Sequence, residues 1–511
     1  MNSKITEILP SDQYNQQLIS LVHPHDWINP NPQKQYDLVV IGAGTAGLVV
    51  AAGAAGLDLG LKIALIEKHL MGGDCLNFGC VPSKAIIRSG KIIGEILKAE
   101  KLGIKTQENE IDFAYIMERM RKIRAGISHH DSAQRFKNLG IDVFFGSAHF
   151  FDQNTIEVEG LKLHYKKAVI ATGAKPIIPN IEGINDVNFY TNETIFSLTK
   201  LPPSLAVMGG GAIGSELAQV FNRLGSQVTL LHKHDYILNK EDKQAREIIQ
   251  NTFLQEGINL ILNSQILKVE LTENGKKIDY ISNGQKNSIT VSDILVCIGR
   301  EPNIKELNLE KVGVEYDLKK GVKINDYLQT TNPRIFAAGD VCLGEKFTHT
   351  ADAAARIVIK NTLFSPFGLG KAKFSDLIIP RVTYTDPEVA HVGKSPHQLV
   401  TEGLDFNTIT VLMDKVDRAI TDEETEGFVK IYHQKNSDKI LGATIVASHA
   451  GEMISEITLA MVNNIGLNGI SKVIHSYPTQ AEAIKKAADA YRRTLLTPQS
   501  RRILKLLSKL T

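Results

Sequence analysis

The sequence predicts an α/β fold with two nucleotide-binding domains and a smaller C-terminal α+β domain. A strand, glycine turn and helix pattern occurs twice, within residues 36–67 and 204–233. After about Pro380 the pattern changes to short strands and amphipathic helices. A chain of 511 residues also exceeds the roughly 250 to 300 at which one hydrophobic core stops growing, so several domains are expected.

The first unit begins with an apolar run from Tyr36 to Ile41, which is typical of a buried strand. Three glycines follow it and open a helix: Gly42, Gly44 and Gly47. The next strand ends at Glu67, twenty residues beyond the last glycine, which is the spacing of a Rossmann-like dinucleotide-binding unit. We therefore expect a phosphate at the helix N-terminus and a ribose on Glu67.

The second unit repeats this order with a strand from Ser204 to Met208. Its glycines are Gly209, Gly211 and Gly214. The next strand ends at His232 and Lys233, so no carboxylate is available for a ribose 2′-hydroxyl. Basic residues suit a 2′-phosphate, which favours NADPH over NADH, although a solvated basic strand end is the alternative.

Later strands predict how the domains are connected. The segments 167–176, with Thr172 and Gly173, and 293–303, with Gly299, are expected to return to their own sheets. The segment 335–340, ending in Gly339 and Asp340, is expected to rejoin the first domain, so that the second is an insertion. The predicted division is an N-terminal extension (1–35), a first nucleotide domain (36–185 and 304–375), a second (186–303), a C-terminal domain (376–495) and a basic amphipathic tail (496–511).

Two of the four cysteines, Cys75 and Cys80, are five residues apart, just after the first unit. A regular helix would separate their Cα atoms by at least about 7 Å, so we expect Gly79 and Pro82 to distort the chain and bring them together. Lys84 follows Cys80 by four residues and would stabilise a thiolate, unless it is an ordinary surface lysine.

A structural zinc site is the main alternative for the cysteines, but zinc requires four ligands. The remaining two, Cys297 and Cys342, lack the paired spacing of zinc ligands, and we expect them to be packing residues.

Composition limits the other classes of function. The formal net charge of +2 gives no reason to expect nucleic acid, and residues 1–35 lack the apolar run of a signal peptide, so a cytoplasmic protein is expected. The last residues alternate leucines with basic side chains. We expect this tail to pack on its own dimer, with contact to a membrane surface as the less favoured alternative.

The most specific segment, GGDCLNFGCVPSK at 72–84, resembles the flavoprotein disulfide reductases, which are the class I pyridine nucleotide-disulfide oxidoreductases. This family includes glutathione reductase, dihydrolipoamide dehydrogenase and mercuric reductase. The resemblance extends over about residues 36 to 490 and includes GAGTAG, ATGAKP, GGGAIGSELAQ, AAGD and TDPEVAHVG. It implies a homodimer in which the C-terminal domain completes the active site of the partner.

The resemblance also implies roles for individual residues. Cys80 would be the thiolate in charge transfer with flavin, Cys75 the outer thiol that meets the substrate, and Lys84 would pair with Glu216. FAD would bind at Gly42, Gly44, Gly47, Glu67, Gly73, Lys84, Thr172, Gly173, Gly339 and Asp340, with Asp340 on the ribityl chain. The nicotinamide nucleotide would bind at Gly209, Gly211, Gly214, His232, Lys233 and Gly299.

One departure from the family pattern bears on the substrate. Disulfide reductases carry a histidine before a Pro-Thr pair and a glutamate five residues after that histidine. Here Glu482 is present, but Tyr477 occupies the histidine position and His475 lies two residues earlier. The pKa of tyrosine is about 10 against about 6.5 for histidine, so a substrate that releases a thiolate, such as glutathione disulfide or lipoamide, is a poor fit.

Mercuric reductases have a comparable tyrosine, and Hg(II) needs thiolates more than a proton donor. A mercuric reductase-like activity with transient Hg(II) at Cys75 and Cys80 is therefore expected, although the chain ends RRILKLLSKLT without a cysteine pair and residues 1–35 contain no cysteine. Another thiol-reactive species, a quinone or a small disulfide remain alternative acceptors. A disulfide reductase that uses His475 as a displaced base and a flavin redox sensor without turnover remain alternative functions.

Overall fold

The computed structural model describes residues 8–105 and 110–510. Helices and strands alternate along most of this chain. The helices are, in chain order, α1 (Gln13–Val22), α2 (Thr45–Ala55), α3 (Gly73–Asn77), α4 (Cys80–Lys98), α5 (Phe113–Ile127), α6 (Ala133–Asn138), α7 (Ala212–Arg223), α8 (Lys243–Gln255), α9 (Thr348–Leu363), α10 (Pro396–Thr401), α11 (Asp417–Thr421), α12 (Ala450–Val462), α13 (Leu467–Ile470), α14 (Glu482–Thr494) and α15 (Pro498–Leu507).

The strands belong to three larger sheets, one three-stranded sheet and two short ribbons. They are β1 (Tyr36–Ile41), β2 (Ile63–Glu67), β3 (Ile141–Phe145), β4 (Ala148–Asp152), β5 (Thr155–Val158), β6 (Leu161–Ile170), β7 (Ala174–Pro176), β8 (Ser204–Met208), β9 (Gln227–Leu231), β10 (Asn259–Ile261), β11 (Ser264–Thr272), β12 (Gly275–Ser282), β13 (Gln285–Val291), β14 (Asp293–Val296), β15 (Arg300–Pro302), β16 (Tyr316–Asp317), β17 (Gly321–Val322), β18 (Ile335–Ala337), β19 (Arg381–Thr383), β20 (Glu388–Gly393), β21 (Phe406–Leu412), β22 (Phe428–Gln434) and β23 (Ile440–Ala447). A separate three-stranded sheet is formed by β11, β12 and β13.

The first sheet places five parallel strands in the order β3-β2-β1-β6-β18, with β5 and β4 continuing from β6 as an antiparallel extension. The strands β1 and β2 are apolar throughout most of their length because helices and strands cover both faces. Helix α2 packs closely on α9, since a side chain at Gly53 would lie 2.6 Å from the Cδ1 of Ile359. The strand β18 joins this sheet after the whole second domain has intervened.

The second sheet is parallel in the order β10-β9-β8-β14. Helix α7 leaves β8 at its carboxyl end, as the helix of a nucleotide-binding unit does. The strands β11, β12 and β13 pack against this sheet through a shared apolar core, which includes Ile278 and Ile294. The predicted α/β fold with two Rossmann-like domains is therefore confirmed.

The C-terminal domain is an antiparallel sheet in the order β19-β20-β23-β22-β21. Helices α12 and α14 pack on it because their apolar residues recur at helical spacing, as Met453, Ile457 and Ala460 do. This domain confirms the predicted C-terminal α+β fold.

The described part of the N-terminal extension packs on the first domain. Asp12 caps α1 through the amides of Tyr14 and Asn15, and its other oxygen accepts a hydrogen bond from Arg121 at 2.5 Å. The indole of Trp27 donates to the carbonyl of Val143 at 3.1 Å. At the other end of the chain, no residue of α15 is buried. Within residues 8–105 and 110–510, no helix is long and apolar enough to cross a membrane.

Candidate active site

The two close cysteines lie on different helices. Cys75 belongs to the short helix α3, whereas Cys80 is the first residue of α4. The chain breaks between them at Phe78 and at Gly79, whose φ of −130° and ψ of −107° are not helical. Gly79 therefore supplies the predicted distortion, but the expectation for Pro82 was wrong. Pro82 lies within the first turn of α4, where the ring fits a helix without breaking it.

The two thiols have opposite acidities. Cys75 donates a hydrogen bond to the sulfur of Cys80, which lowers the pKa of Cys80 to about 6 and raises that of Cys75. The hydroxyl of Thr348, at the start of α9, lies 3.2 Å from the Cys80 Sγ and also favours the thiolate. The Lys84 ammonium adds a favourable charge, as does the N-terminus of α4 itself. Cys80 is thus a thiolate at neutral pH, while Cys75 keeps its proton.

Lys84 and Glu216 form an ion pair between two domains. The Lys84 Nζ donates to the Glu216 Oε2 at 2.7 Å, and the amide of Tyr384 donates to Oε1 at 2.8 Å. The Lys84 Nζ also lies 4.5 Å from the centre of the Tyr384 ring. Burial opposes the lysine charge, but the Glu216 carboxylate holds the pKa of Lys84 above its usual value. The ammonium next to Cys80 therefore remains charged.

A second charged group orders the residue before Cys75. Asp74 accepts hydrogen bonds from Arg300 at 2.5 Å and from the Asn192 amide at 3.0 Å. Arg300 also donates to the carbonyl of Ala174 at 2.7 Å, and its Nε lies 3.7 Å from Asp340. Burial raises the pKa of Asp340, and Arg300 partly opposes that rise. Arg300 therefore ties α3 to the end of the first parallel sheet.

These groups face a cavity of about 950 Å³ that all three domains line. Cys75, Cys80, Glu216 and Tyr384 lie on its wall. Nine of the ten residues predicted to bind FAD also line it: Gly42, Gly44, Glu67, Gly73, Lys84, Thr172, Gly173, Gly339 and Asp340. The tenth, Gly47, lies behind the turn, where a Cβ would be 1.8 Å from the carbonyl oxygen of Gly42.

The glycine turn leaves a surface that a dinucleotide can approach closely. Gly73 has a φ of +56°, and a Cβ there would lie 2.6 Å from the Cα of Gly44. A Cβ at Gly42 would lie 2.4 Å from the carbonyl oxygen of Ala171. The Glu67 carboxylate accepts hydrogen bonds from the amides of Ala43 at 2.7 Å and His69 at 2.8 Å, which fixes it at the end of β2. These residues fit the adenosine and pyrophosphate of FAD.

The second unit has the same turn geometry. A Cβ at Gly209 or Gly214 would lie 2.4 Å or 1.9 Å, respectively, from a backbone carbonyl oxygen. Gly211, at the N-terminus of α7, has open space around it, so a phosphate can reach the backbone there. Gly299 has a φ of +143° at the carboxyl end of the same sheet. These four glycines fit a second dinucleotide.

His232 cannot supply the positive charge that the sequence suggested. It is buried, and its Nδ1 accepts a hydrogen bond from the amide of Gly210 at 3.0 Å. Burial lowers the pKa of His232 to about 4, so the ring is neutral at pH 7. Its position matches that of Glu67 in the first unit, which accepts from Ala43 in the same way. Of the two predicted basic residues, only the exposed Lys233 remains charged.

The C-terminal candidates lie away from the cysteines of their own chain, since none of them lines the cavity. The Tyr477 side chain is 70 % exposed, and its hydroxyl donates to Asp417 at 2.9 Å. One carboxylate oxygen of Glu482 lies 3.7 Å from Lys486. His475 is hydrogen-bonded to Glu456 at 2.9 Å and 3.1 Å, and not to Glu482.

Several residues near the thiols had no role in the sequence predictions. Asp74, Arg300 and Tyr384 all lie within quoted or neighbouring motif segments, so the motifs contain them without showing what they contact. Thr348 belongs to no motif that the sequence analysis used, and only its contact with Cys80 in the structure reveals it. Cys297 and Cys342 pack against the domain cores, as expected. Among the described residues, no cluster of three or more histidine, cysteine or acidic side chains could hold a metal ion.

Two family models match most of the chain. The pyridine nucleotide-disulphide oxidoreductase model matches residues 36–355, and the dimerisation domain of that family matches residues 379–488. Among curated proteins, a mercuric reductase of Staphylococcus aureus is 37 % identical over 460 residues, which cover 90 % of this chain and 83 % of that protein. A dihydrolipoyl dehydrogenase of Geobacillus stearothermophilus is 32 % identical over 462 residues, 89 % of this chain and 95 % of its own.

Solved structures show the same similarity. The HOCl-induced flavoprotein disulfide reductase RclA from Escherichia coli aligns with a TM-score of 0.77 and 27 % identity, over 89 % of this chain and 99 % of its own. LpdA from Mycobacterium tuberculosis aligns with a TM-score of 0.80 and 26 % identity, over 90 % of this chain and 100 % of its own.

Proposed function

The chain belongs to the pyridine nucleotide-disulphide oxidoreductase family, and from this we propose that it reduces a thiol-binding acceptor, with Hg(II) the first candidate, through Cys75 and Cys80. Members of this family use FAD and a pyridine nucleotide, and the match to the dimerisation domain indicates a homodimer. The observation that carries the proposal is the pair of thiols of opposite acidity on the wall of the cavity that fits FAD.

The protein groups divide the work of electron transfer. Bound FAD supplies the exchange of two electrons between a nicotinamide and a thiol pair. Cys80 holds the thiolate, with Thr348 and Lys84 favouring its charge. Cys75 keeps the proton that must leave when it binds an acceptor or forms a disulfide. Arg300 and Asn192 hold Asp74, so the outer cysteine stays on a fixed helix.

Hg(II) suits this site because a soft ion binds thiolates strongly and needs no proton from the enzyme. In the overall reaction NAD(P)H gives up two electrons and a proton, while Hg(II) accepts both electrons and becomes Hg(0). A hydrogen bond to Asp417 raises the pKa of Tyr477, so the hydroxyl is a still weaker acid–base group than an ordinary tyrosine. That favours an acceptor that needs no protonation over a disulfide. The similarity to mercuric reductases at 35 % and 37 % identity supports the same choice.

NADPH is the proposed reductant because Lys233 follows β9, where a 2′-phosphate would be held. The neutral His232 adds no charge, since its Nδ1 accepts from Gly210 and its Nε2 is buried. His234 is half-buried beside it, and the exposed Asp235 partly offsets the positive charge. Lys233 therefore carries most of the preference.

A disulfide reductase is the second candidate, because His475 is paired with the Glu456 carboxylate at 2.9 Å. A histidine held by a carboxylate is the arrangement that protonates a leaving thiolate. In the disulfide reductase pattern the histidine pairs with the glutamate at the position of Glu482. In this protein Glu456 takes the place of that glutamate. The similarity to dihydrolipoyl dehydrogenases at 32 % and 33 % identity agrees with this candidate.

The test is the rate of NADPH oxidation with Hg(II) in excess small thiol, beside glutathione disulfide and lipoamide. Turnover with mercury that is lost in Cys80→Ser but kept in Cys297→Ser would support the proposal, since Cys297 packs in the core away from the cavity. Turnover with a disulfide and not with mercury, abolished in His475→Ala, would favour the disulfide reductase over the mercury proposal. Binding of NADPH without turnover on any acceptor would favour a redox sensor.

A further inference from the structure

The C-terminal tail is a helix that lies on the surface of its own chain. Helix α15 begins after Thr497, whose hydroxyl accepts a hydrogen bond from the amide of Ser500. The helical turn continues to Leu510, whose amide donates to the carbonyl of Leu507. No residue of α15 is buried. A helix of this length gains little stability alone in water, so an amphipathic one needs a surface to cover its apolar side.

The side chains of the tail segregate into two opposite faces. At about 100° per residue, the basic side chains fall within a sector of about 100°: Arg501, Arg502, Lys505 and Lys509. The apolar side chains occupy the opposite side: Ile503, Leu504, Leu506, Leu507 and Leu510. These five are between 52 % and 77 % exposed. Such a helix presents an apolar stripe bordered by positive charge.

Charge in the chain is distributed unevenly. After Asp489 there is no acidic residue, whereas six basic residues follow, beginning with Arg492 and Arg493. The residues after Asp489 include six of the 58 basic residues and none of the 56 acidic ones. The rest of the chain therefore has a formal net charge of −4. None of the six forms an ion pair within the part of the chain that the structure describes. Net positive charge is therefore concentrated in the residues that follow Asp489, where it can attract a negative surface.

We propose that α15 binds the anionic lipid surface of a membrane, with its leucines at the boundary of headgroups and acyl chains and its basic side chains on the lipid phosphates. Anionic lipid supplies both requirements of the helix at once, an apolar layer and a negative border. A second copy of the chain would have to supply an apolar groove edged with carboxylates. The tail itself contains no acidic side chain, so the basic side chains of two tails cannot pair with each other.

The test uses the full-length FAD-loaded protein and sedimentation with vesicles. Vesicles of phosphatidylcholine with phosphatidylglycerol should carry the protein down, and vesicles of phosphatidylcholine alone should not. Raising the salt concentration should release it, because exposed charges are screened. The triple variant Arg501→Gln, Arg502→Gln and Lys505→Gln should bind anionic vesicles about 100-fold more weakly, at about fivefold for each basic residue. The pair Leu504→Ser and Leu507→Ser should bind as weakly.

A matched control changes similar residues elsewhere on the surface. Leu318, which is 66 % exposed, precedes Lys319 and Lys320 in the turn between β16 and β17. The variant Leu318→Ser, Lys319→Gln and Lys320→Gln should keep wild-type binding, since a turn cannot form two opposite faces. All variants should oxidise NADPH at the wild-type rate with an artificial acceptor.

Two outcomes would overturn the proposal. One is the absence of binding to anionic vesicles, and the other is binding that the tail variants do not weaken. If the tail instead covers a second copy, removal of residues 497–511 should change the sedimentation coefficient of the protein without lipid.

Discussion

The acidity of Cys80 depends on a few identifiable atoms. It begins α4, accepts a hydrogen bond from Cys75 and lies 3.2 Å from the Thr348 hydroxyl. Each of these favours the thiolate over the thiol. Lys84 adds a charge that stays positive because Glu216 holds it. The protonation state of one sulfur therefore depends on four helices, α3, α4, α7 and α9, of two domains.

Alkylation of Cys80 in the reduced, flavin-free protein should show this dependence. The lowered pKa means that the thiolate persists above about pH 6 and is lost below it, so the alkylation rate should be half-maximal near pH 6. In Cys75→Ala the donor is lost, the pKa moves up, and the rate at pH 7 should fall between about twofold and tenfold. Peptide mapping by mass spectrometry measures the rate at this cysteine alone.

The matched variant is Cys75→Ser, whose hydroxyl still donates a hydrogen bond and should keep the midpoint low. If all three proteins titrate alike, the Cys75 thiol does not set the acidity of Cys80. The low pKa of Cys80 would then be due to the N-terminus of α4, Thr348 and Lys84.

His232 makes a prediction about the choice of nucleotide. In His232→Glu, a carboxylate would occupy the position that Glu67 has in the first unit, and its charge would repel a 2′-phosphate. The ratio of the dissociation constants for NADPH and NADH should shift by more than about tenfold toward NADH, a change of about 1.4 kcal/mol or more. Isothermal titration calorimetry on the FAD-loaded protein measures both constants. His232→Gln, which adds no charge, should shift the ratio much less.

The sequence predicted which residues would lie at the site better than it predicted their protonation states and hydrogen-bond partners. Nine of the ten FAD candidates share one cavity because motif spacing fixes the ends of parallel strands. The neutrality of His232 could not be predicted, because it depends on burial under residues distant in the chain. The partner of His475 could not be predicted either, since His475 lies in a loop and Glu456 lies nineteen residues earlier, on α12.

At the scale of elements, the first glycine turn packs its backbone directly against the backbone of another segment. The turn before α2 and the start of α3 meet at Gly44 and Gly73. The two helices α3 and α4 then diverge at Gly79, a break that the sequence indicated only through its glycine. The regular βαβ units were predictable because periodicity and spacing define them. The distortion at Gly79 was also predicted, but the division into two separate helices, α3 and α4, was not.

Gly73→Ala should test that approach of backbones. The substitution adds the backbone cost of a left-handed conformation, about 1–2 kcal/mol, to a clash 2.6 Å from the Gly44 Cα. We expect a lower free energy of unfolding and loss of bound FAD during gel filtration. Gly140→Ala is the control, since Gly140 has a φ of +80° but no other atom within 4 Å of the added methyl group. The free energy of unfolding of Gly140→Ala should fall only by the cost of the left-handed backbone, and this variant should retain flavin. Loss of flavin in both variants would contradict the role of the close approach between Gly73 and Gly44.

At the scale of the whole molecule, the C-terminal domain presents its candidate residues away from its own cavity. Tyr477 is largely exposed, and neither Tyr477 nor Glu482 lines the cavity that contains Cys75. If these residues act on the substrate, they do so at the cysteines of a second chain, and the match to the dimerisation domain agrees with such a dimer. The sequence predicted this division through family resemblance, because periodicity alone does not show which chain a surface faces.

Mixed dimers test whether two chains share each site. A dimer with Cys80→Ser in one subunit and Tyr477→Phe in the other would place both changes in one site and leave the second site intact. If sites are shared, its rate of NADPH oxidation with the best acceptor should be about half that of the wild-type dimer, because one of two sites works. Differently tagged subunits allow its purification. If each chain forms its own site, the rate should instead be about half that of the Tyr477→Phe homodimer. That homodimer is measured beside the mixed dimer and must be slower than the wild type for the two cases to differ.

The return of β18 to the first sheet constrains how the protein is made on the ribosome. The strand that completes the flavin domain is synthesised 165 residues after its neighbour β6 ends. At about 5–20 residues per second, the nascent chain carries an open sheet edge for about ten to thirty seconds. During that interval the inserted domain emerges and folds first, while β6 offers an unpaired edge to other chains. Premature termination before residue 335 would release a chain with that edge still uncovered, which makes it a substrate for chaperones or for aggregation.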